Sequence, residues 1–363
     1  MSGLAIGIMS GTSLDGADAL LADFSHRAPR TLATATVPFS ADLRERLLRL
    51  SEPGSDDLDL AGKCSIELAT AYAETVAIVL RESGLSARDV GAIGCHGQTV
   101  RHRPERGFTT QLNDPALLAE RTGIDVVADF RRRDIAAGGQ GAPLAPAFHD
   151  AVFRHDSLHR VIVNIGGISN ATSVRPGKAV SGFDCGPGNV LMDSWIRTHR
   201  GVPFDKGGLW ASQGRVDEAL LKVLLAEPYL GMSPPKSTGR ELFNERWLRE
   251  RLSAGHAPAD VQATLLEFTA WSIADAIDRH CGGSDEVYLC GGGARNPRLA
   301  ARIAELMGRC PVRATDVLGV PTGDVEAMAF GWLALKCIRR EAIDLSSVTG
   351  ARHACILGAI YPA

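Results

Sequence analysis

Small, hydroxyl and carboxylate side chains are crowded into one segment near the start of the chain, residues 7–18, which reads GIMSGTSLDGAD. Glycine lets a backbone approach a ligand closely and adopt positive φ, so consecutive N–H groups can point at one anion. Hydroxyls add donors, and carboxylates can hold a hydrated divalent cation but would repel a bare phosphate. The combination indicates a nucleoside triphosphate bound with its metal. A tight β-hairpin with polar caps is the alternative that this segment leaves open.

Two further glycine turns follow apolar strands, at residues 161–167 and 287–297. Three such units fit a two-lobed protein in which each lobe gives one turn to the phosphates and the third turn touches the base. No GxxxxGK[ST] is present, and no GxGxxG opens a helix after a strand, which disfavours P-loop and Rossmann proteins. Without a phosphate lysine, such a site would depend on backbone N–H groups and Mg²⁺ to offset the triphosphate charge.

A carboxylate in a rigid setting is predicted at Asp184, within residues 182–189, which read GFDCGPGN. This segment lies between a predicted strand and a helix expected over 190–198. A carboxylate at a strand end, beside a turn with two glycines and a proline, is mounted as a general base should be. An aspartate that only caps the local turn is the alternative.

Three other polar groups are weaker candidates. The segment His96-Gly97-Gln98-Thr99 follows a short strand and is either a ligand-binding loop or a plain polar turn. Asp129, with Arg131 and Arg133, could bind polar groups of a ligand, or could be a salt-bridged surface. Glu326 could contact a ligand or could complement the dipole of the helix that it begins.

Apolar spacing and cap residues predict the elements that carry these groups. Residues 4–9 and 18–24 form a hairpin, residues 90–94 and 124–128 are strands, and Asp114-Pro115 opens a helix to 122. Residues 63–82 are helical with one face of apolar side chains (Ile66, Ala69, Ala73, Val76, Leu80), and so are 215–226 and 259–280 (Leu266, Ala270, Ile273, Ile277). A Gly/Pro-rich loop follows 129–134 and ends near Pro146. Asn296 caps a helix that Pro297 starts.

Bulk composition excludes several classes of protein. The 363 residues are 45% hydrophobic and 22% charged, with a formal net charge of −3, which favours an α/β protein with no nucleic-acid or membrane partner. No apolar run is long enough to span a bilayer and no signal peptide precedes the first strand, so we expect a cytoplasmic protein. The eight cysteines are scattered without a CxxC pair, which indicates reduced thiols.

Seven motifs together resemble those of anhydro-N-acetylmuramic acid kinases: SGTSLDGAD, HGQT, VVADFRRRDIAAGGQGAPLAP, NIGGISN, GFDCGPGN, CGGGARNP and VEAMAFGWLA. They run in that order, and the resemblance extends from about residue 4 to Pro362. The family belongs to the hexokinase–Hsp70–actin superfamily, which implies an α/β, two-lobed actin-like ATPase fold with ribonuclease H-like lobes and an ATP cleft between them. Cys185 departs from the threonine that the family carries there, which affects the fine positioning of Asp184.

The resemblance also implies a domain division. We expect an N-terminal lobe over 1–140, joined by a C-terminal return segment over 345–363, and a C-terminal lobe over 141–344. The first lobe would hold the first phosphate turn and the sugar-binding loops. The second would hold the other phosphate turn, Asp184 and the adenosine turn.

The activity implied by the resemblance is ATP-dependent phosphorylation of 1,6-anhydro-N-acetylmuramic acid at O6, with opening of the anhydro bridge. Asp184 would activate the water that adds at C1. The expected ATP-binding residues are Gly11, Thr12, Ser13, Leu14, Asp15, Gly16, Asp18, Gly166, Gly167, Gly291, Gly292, Gly293 and Asn296. Those expected at the sugar are His96, Gly97, Gln98, Thr99, Asp129, Arg131 and Glu326. Asp15 and Asp18 would hold Mg²⁺ through water.

Two other functions on the same fold stay open at this point. One is a kinase of ordinary sugar hydroxyls, with Asp184 as a conventional base. The other is a non-enzymatic ATP-gated sensor or assembly protein. A sensor would need an added interaction module and a filament former would need long surface insertions, and neither is evident in the sequence. We also expect a small-molecule substrate as the partner, with a homodimer as a further possibility.

Overall fold

The computed structural model describes residues 3–11, 14–51, 57–253 and 255–363. Its strands in chain order are β1 (Leu4–Met9), β2 (Gly16–Asp23), β3 (Arg30–Pro38), β4 (Ala92–Cys95), β5 (Gln98–Arg103), β6 (Phe108–Leu112), β7 (Val126–Ala128), β8 (Arg160–Ile165), β9 (Ile168–Val174), β10 (Ser181–Pro187), β11 (Glu286–Cys290), β12 (Val312–Ala314) and β13 (Ala359–Tyr361).

The helices are α1 (Ala41–Ser51), α2 (Asp57–Ser83), α3 (Pro115–Thr122), α4 (Phe130–Ala136), α5 (Ala145–Phe153), α6 (Val190–Arg200), α7 (Glu218–Leu225), α8 (Glu245–Arg249), α9 (Pro258–Cys281), α10 (Pro297–Met307), α11 (Val325–Ile338) and α12 (Ser346–Thr349). None of the helices within the described ranges is long and apolar enough to cross a membrane.

Residue contacts divide the chain into two compact units. The first contains residues 1–152 together with 324–363, and the second contains residues 153–323. This division places residues 141–152 and 324–344 with the first unit, whereas the sequence-based domains assign both stretches to the second. Helix α11 explains the difference for 324–344, since it packs on β1 and β4 of the first sheet.

The sheet of the first unit has the order β13-β7-β4-β1-β2-β3. Strands β1, β2 and β3 form an antiparallel meander, β4 pairs with β1 in parallel, and β7 pairs with β4 in parallel. The predicted hairpin at the start of the chain is therefore present. Strand β3, which the sequence did not predict, completes the meander, and β5 and β6 form a separate two-stranded sheet.

The sheet of the second unit repeats the order of the first. It reads β10-β9-β8-β11-β12, with β8, β9 and β10 as an antiparallel meander and with β11 and β12 parallel to β8. In both units the chain thus makes three meandering strands and then adds two parallel strands beyond the first. This duplicated α/β architecture confirms the expected ribonuclease H-like lobes.

The predicted long helices are present, and one of them buries a face slightly displaced from the one expected. On α9 the predicted apolar face is buried throughout, with Ile273 and Ile277 fully covered. On α2, Ala69 and Val76 of the predicted face are buried, but Ile66 is 51% exposed. The core also covers three residues beside that face, Leu68, Tyr72 and Val79. The helical period was correct, but the stripe was placed slightly to one side of the true core face.

Two glycines bring helix α11 directly onto the first sheet. A Cβ built on Gly7 of β1 would lie 1.7 Å from the carbonyl oxygen of Ala327, and one on Gly94 of β4 would lie 2.0 Å from that of Phe330. Real Cβ atoms do not approach backbone so closely, so both positions require glycine for the helix to sit where it does. This packing fixes the start of α11, and with it Glu326.

Candidate functional site

The connection between β1 and β2 is held by a buried leucine in an unusual conformation. Leu14 has φ of 59°, in the left-handed region that costs most residues energy, and its side chain is only 5% exposed. Its N–H donates to the carbonyl oxygen of Gly11 at 3.2 Å. Leu14 is thus held in place by the core and by this hydrogen bond. Thr12 and Ser13 of the predicted phosphate turn lie outside the residues that the structure describes.

Gly16 must be a glycine for steric reasons, and the carboxylates of Asp15 and Asp18 in the same segment have polar side-chain partners. A Cβ on Gly16 would lie 2.5 Å from the carbonyl oxygen of Val37. Asp15 is 59% exposed in its side chain and lies 3.6 Å from Arg44 Nη2. Asp18 Oδ1 accepts a hydrogen bond from Thr36 Oγ1 at 2.6 Å. Each carboxylate keeps oxygen atoms of the type that Mg²⁺ prefers.

These carboxylates do not form a closed cage of direct ligands. Within the described part of the chain, no cluster of three or more His, Cys, Asp or Glu side chains could hold a metal ion. Two carboxylates, Asp15 just before β2 and Asp18 within it, suit a Mg²⁺ ion that keeps several of its waters, as this ion usually does at nucleotide phosphates. The donor set therefore fits the group that the sequence predicts.

His96 follows β4 and is held as a neutral ring. The side chain is 5% exposed, and its Nε2 accepts a hydrogen bond from Arg131 Nε at 2.9 Å, which places its proton on Nδ1. Burial and the charge of Arg131 hold the pKa of His96 well below its usual value. The ring also packs on Phe330, with centroids 4.7 Å apart. His96 is therefore a fixed polar group and does not carry charge at neutral pH.

Gly97 leads directly into the hairpin of β5 and β6, and Gln98 and Thr99 are the first residues of β5. Gly97 has φ of 76°, and a Cβ there would lie 2.8 Å from the carbonyl oxygen of Leu112, so glycine is required. Gln98 is 1% exposed, and Thr99 Oγ1 accepts a hydrogen bond from Gln111 Nε2 at 3.2 Å. The four predicted sugar-loop residues are thus brought together by the backbone.

The acidic and basic groups after β7 pair differently from the sequence expectation. Asp129, with φ of 60°, accepts a hydrogen bond from the Tyr361 hydroxyl at 2.9 Å and lies 3.4 Å from Arg132 Nε. Arg131 donates to His96 and, through Nη1, to the carbonyl oxygen of Gly141 at 2.8 Å. Arg133 is exposed. Helix α4, which the sequence analysis missed, produces this arrangement by pointing successive side chains in different directions.

A buried carboxylate that the sequence analysis did not select supports the same region. Asp134 is fully buried and accepts hydrogen bonds from the Gly141 N–H at 2.7 Å and from Thr349 Oγ1 at 2.8 Å. Burial raises the pKa of Asp134. The glycine loop after α4 is consequently held at both polar atoms of Gly141, by Arg131 and by Asp134. The contact with Thr349 joins residues far apart in sequence, so no local signal reveals it.

Glu326 lies in the first turn of α11 and is partly exposed. The residue before the helix, Asp324, accepts a hydrogen bond from Thr31 Oγ1 of β3 at 3.0 Å. The start of the helix is thereby tied to the edge of the first sheet. Glu326 is therefore presented by a well-anchored element, as a ligand-contacting residue should be.

In the second unit, two glycine segments close on one another. The N–H of Gly188 donates to the carbonyl oxygen of Gly167 at 2.9 Å, and the N–H of Asn189 donates to that of Gly166 at 2.8 Å. A Cβ on Gly188 would lie 2.2 Å from Gly166 O, so the contact requires glycine at 188. At Gly166 itself, a Cβ would meet nothing closer than 3.5 Å.

Asp184 lies on β10, the edge strand of the second sheet, at an irregularity of the strand. The pairing with β9 shifts by one residue between Asp184 and Gly186, so Cys185 forms a bulge. Asp184 is 8% exposed, and its Oδ2 accepts a hydrogen bond from the Thr238 N–H at 3.0 Å. Bulges often redirect a side chain beside an active site, and this carboxylate is held in one orientation.

Residues around Asp184 come from a segment that the sequence analysis did not identify. The Asp184 N–H donates to the carbonyl oxygen of Lys236 at 3.2 Å, and the Tyr229 hydroxyl donates to the carbonyl oxygen of Asp184 at 2.9 Å. Lys236 is buried, with an exposed fraction of 3%. Its only local signal was a lysine that follows two prolines, which does not by itself predict burial.

The third glycine turn follows β11. Gly291 has φ of 81°, and a Cβ there would lie 2.3 Å from Asn164 Oδ1, while one on Gly293 would lie 2.3 Å from Ile165 Cγ2. A Cβ on Gly292 would meet only Asn189 Nδ2, at an ordinary contact distance of 3.8 Å. The predicted cap is confirmed, since Asn296 Oδ1 accepts hydrogen bonds from the N–H groups of Arg298 and Leu299. The side-chain oxygen of Asn296 is therefore engaged by the first turn of helix α10.

Comparison with known proteins gives a match over the length of the chain. Residues 3–363 match a family described as anhydro-N-acetylmuramic acid kinase. Proteins with that name from Bordetella petrii and Cupriavidus pinatubonensis are 54% and 52% identical to it. The alignments cover 99% and 98% of this chain, and 96% and 98% of the respective relatives.

Among solved structures, the chain is similar to a ROK family glucokinase from Streptomyces griseus in complex with glucose and AMPPNP. The two share 15% sequence identity with a TM-score of 0.44, and the match covers 92% of this chain and 100% of that one.

Proposed function

The chain belongs to the anhydro-N-acetylmuramic acid kinase family, and we infer that it transfers a phosphoryl group from ATP to O6 of 1,6-anhydro-N-acetylmuramic acid while water opens the anhydro bridge. ATP, the anhydro sugar and water give ADP and N-acetylmuramic acid 6-phosphate, a step in the recycling of cell-wall sugars. The observation that carries the proposal is the family match over residues 3–363, together with the two relatives above 50% identity.

The substrate dictates an unusual task for the catalytic base. O6 of the anhydro sugar is an ether oxygen and has no proton to remove before it attacks the γ-phosphorus. A water must add at C1 as the C1–O6 bond breaks, and that water must lose a proton. We assign this proton to Asp184, because a carboxylate can accept a proton from the water as general base. O6 then keeps the electron pair of the broken bond and accepts the phosphoryl group.

The setting of Asp184 supports that role. Thr238 N–H holds Oδ2 at 3.0 Å, while both backbone polar atoms of Asp184 are engaged, by Lys236 and by Tyr229. A carboxylate fixed in this way loses little entropy when it engages a water. General-base help of this kind typically contributes about 10²–10⁴-fold to the rate.

We assign ATP to the glycine turns of both units. At Gly188, Gly291 and Gly293 a Cβ would overlap neighbouring protein atoms, so glycine keeps each turn compact. Gly292 is the member of the third turn where a Cβ would meet nothing closer than Asn189 Nδ2 at 3.8 Å, which suits the passage of a nucleoside. Asp15 and Asp18 would hold Mg²⁺ through its waters, and the bound ion would supply charge neutralisation at the phosphates.

We assign the sugar to the first unit. His96, fixed as a neutral ring, can hydrogen-bond an uncharged hydroxyl or amide without the cost of burying a charge. Asp129, held by Tyr361, and Glu326, at the start of α11, are acceptors on anchored elements. Polar groups held in this way are typical of sites that select one sugar by its hydroxyl and amide pattern.

The test measures ADP release from Mg·ATP with 1,6-anhydro-N-acetylmuramic acid in H₂¹⁸O, for the wild type and for Asp184→Asn. We expect product 6-phosphate with ¹⁸O at C1 from the wild type, and about a 10²–10⁴-fold lower kcat for the variant. Asp278→Asn, an exposed aspartate on α9, is the matched control and should behave as the wild type.

Two results would contradict the proposal. Phosphorylation of a sugar with a free 6-hydroxyl, without turnover of the anhydro sugar, would indicate an ordinary sugar kinase. Full activity of Asp184→Asn would place the base elsewhere. A homodimer stays a prediction, which sedimentation equilibrium of the purified protein would test.

A further inference from the structure

The backbone of Asp184 is bonded outside its own sheet. Strand β10 is the edge strand of the second sheet, and an edge strand has backbone groups that no neighbouring strand can pair. The carbonyl oxygen of Asp184 accepts a hydrogen bond from the Tyr229 hydroxyl at 2.9 Å, and its N–H donates to the carbonyl oxygen of Lys236 at 3.2 Å. The segment that contains Tyr229 therefore takes the place of a neighbouring strand at this residue.

Tyr229 presents its hydroxyl from a fixed ring. The residue is 6% exposed, and its ring packs on that of Phe243 with centroids 6.1 Å apart and planes at 83°. Burial raises the pKa of Tyr229, so the hydroxyl stays protonated and remains a donor at neutral pH. A buried tyrosine ring has little rotational freedom, and its hydroxyl therefore meets the Asp184 carbonyl oxygen at one position.

Glu227 is a buried carboxylate that the proposed mechanism does not use, and it holds the turn Pro228–Gly231 that carries Tyr229. Its exposed fraction is 9%. Its Oε2 accepts hydrogen bonds from Trp247 Nε1 at 2.8 Å and from Arg251 Nη2 at 3.1 Å. Its Oε1 accepts one from the Tyr229 N–H at 3.4 Å. A buried carboxylate needs such partners, and here they fix the start of the turn.

The partners of Glu227 connect the turn to two helices. Arg251 lies over the ring of Trp247, 4.1 Å from its centroid, and donates to the Trp247 carbonyl oxygen at 3.0 Å. Trp247 belongs to α8 and stacks on Phe268 of α9, with centroids 6.0 Å apart. The turn is thus tied through Glu227 and Trp247 to α9, the long buried helix of the second unit.

We propose that Tyr229 is a positioning residue for the base, and that Glu227 holds the turn from which the Tyr229 hydroxyl reaches Asp184. This inference rests on the proposed function of Asp184. The peptide group between Asp184 and Cys185 lies in the bulge of β10, where the pairing with β9 shifts and a regular ladder does not fix its orientation. The hydrogen bond from Tyr229 fixes that peptide group, and with it the direction in which the Asp184 side chain leaves the strand.

A role in positioning predicts a loss in kcat without a loss in substrate binding. The alignment of a base with its water matters in the transition state, whereas the affinity for ATP or for the sugar does not depend on it. Tyr229→Phe keeps the ring and removes the hydroxyl. We expect its kcat to fall about fivefold to tenfold, with KM for both substrates within about twofold of the wild type.

The matched control is Tyr288→Phe in the same unit. The Tyr288 hydroxyl also donates one hydrogen bond at 2.9 Å, to Glu286, so the control loses a similar contact and should keep the wild-type kcat. Glu227→Gln tests the support of the turn. Because Glu227 acts through Tyr229, the double variant Tyr229→Phe/Glu227→Gln should have the kcat of Tyr229→Phe within about twofold. Wild-type kcat in Tyr229→Phe, or an equal loss in Tyr288→Phe, would overturn the proposal.

A second measurement does not rely on activity. The amide nitrogen of Cys185 belongs to the peptide group whose oxygen Tyr229 holds, so its ¹⁵N chemical shift reports that hydrogen bond. In protein labelled with ¹⁵N-cysteine, and with Cys185→Ser for assignment, this signal should move in Tyr229→Phe and stay in place in Tyr288→Phe. An unmoved Cys185 signal in Tyr229→Phe would overturn the proposal. If Tyr229→Phe does not fold, Glu227→Gln decides: a moved Cys185 signal with lower kcat supports the proposal, and wild-type values overturn it.

Failure of the base assignment can be recognised separately. In an Asp184→Asn background, Tyr229→Phe should cause no further loss of kcat, because the residue acts through Asp184. A further fivefold loss there would overturn the proposal and leave the base assignment intact. Full activity of Asp184→Asn would instead remove Asp184 as the base, and the Cys185 signal would still decide whether Tyr229 fixes the bulge of β10.

Discussion

The two units share one sheet order and use glycine for opposite purposes. In the first unit, Gly7 pairs with Gly94 and the neighbouring pair is Ile8 with Cys95. In the second unit, Val163 pairs with Leu289 and the neighbouring pair is Asn164 with Cys290. Cys95 ends β4 and Cys290 ends β11, and each of these strands is the fourth of its sheet in chain order. The glycine pair of the first unit therefore corresponds to the valine–leucine pair of the second.

The difference shows how one architecture can hold two kinds of site. Glycines inside the first sheet admit α11 against the backbone, which places Glu326, and polar side chains such as His96 and Asp129 follow the strand ends. In the second unit, β8 and β11 carry branched side chains at the corresponding positions, and the glycines at 166–167, 188 and 291–293 lie in turns. The first unit therefore presents side chains and the second presents mainly backbone, apart from Asp184. The proposed sugar and phosphate assignments follow this contrast.

The largest effect is expected where a side chain would separate α11 from the first sheet. Gly7→Ala should lower the free energy of unfolding by about 3 kcal/mol, because its Cβ would overlap Ala327 O and the helix would have to move. Gly62→Ala, within α2 and with nothing within 4 Å of its Cβ, should be neutral or stabilising by up to about 1 kcal/mol. Urea unfolding measures both. Equal midpoints for Gly7→Ala and the wild type would contradict the close packing.

Acid should weaken the first unit before the second. His149 is fully buried and burial lowers its pKa to about 3, while that of His102 is lowered to about 4. A histidine that is neutral when folded gives stability above its unfolded pKa near 6.5, and this stability is lost as pH falls toward the folded value. Each such group costs about 1.4 kcal/mol per pH unit below 6.5, or about 2 kcal/mol by pH 5.

Urea unfolding at pH 7, 6 and 5 checks this expectation. His149→Leu should reduce the slope of the free energy of unfolding against pH by the contribution of about one proton. His353→Leu, at an exposed position, should leave that slope unchanged. Hydrogen exchange at pH 5 should also show strands of the first sheet opening before those of the second. The same pH dependence in His149→Leu and the wild type would argue against a buried neutral ring.

A comparison of Gly166 with Gly188 distinguishes a ligand-binding glycine from a structural one in the second unit. A Cβ there meets nothing closer than 3.5 Å, so Gly166→Ala should keep the wild-type melting temperature. If the turn faces the phosphates as proposed, the added methyl should raise KM for ATP about tenfold, equivalent to about 1.4 kcal/mol. Gly188→Ala should instead lower the melting temperature, because its Cβ overlaps Gly166 O. An unchanged KM for ATP in Gly166→Ala would remove that residue from the proposed site.

The smallest effect is expected from a comparison of two similar tyrosine–carboxylate hydrogen bonds, one in each unit. The Tyr361 hydroxyl donates to Asp129 at 2.9 Å, and the Tyr288 hydroxyl donates to Glu286 at 2.9 Å. Replacement of either tyrosine by phenylalanine should cost about 1 kcal/mol of stability or less. Only Tyr361→Phe should also raise KM for the sugar, by about fivefold, since Asp129 is assigned to that site. Equal KM values for both variants would contradict the assignment of Asp129.

The sequence predicted best those features that local chemistry determines. Asp114 with Pro115 and Asn296 with Pro297 form the expected helix starts, because a capping side chain and a proline act within one turn. The strand–glycine–turn units and both long helices were also predicted. The prediction that Asp184 lies at a strand end was wrong, since it lies in the middle of β10 beside a bulge, where Gly186 and Pro187 continue the strand. Its catalytic role awaits the proposed test.

The features that the sequence did not predict depend on contacts between distant residues. The buried face of α2 depends on where β2 and β3 lie, so Ile66 was assigned to the core although it is half exposed. Lys236 and Thr238 reach Asp184 across about 50 residues, and no local period records that contact. Arg131 was placed beside Asp129, yet α4 directs it to His96. In each case tertiary packing decides which neighbour a side chain meets.

The position of strand β13 at the end of the chain affects the order in which the two units can fold during synthesis. Strand β13 pairs with β7 at the edge of the first sheet, and α11 packs on its middle strands, so this unit needs residues 324–363. The second unit is continuous over 153–323 and needs no later segment. During translation it can therefore fold while the first unit still lacks a helix and an edge strand. An early-synthesised half thus completes its fold last, and a stalled chain would expose that half to proteases and chaperones.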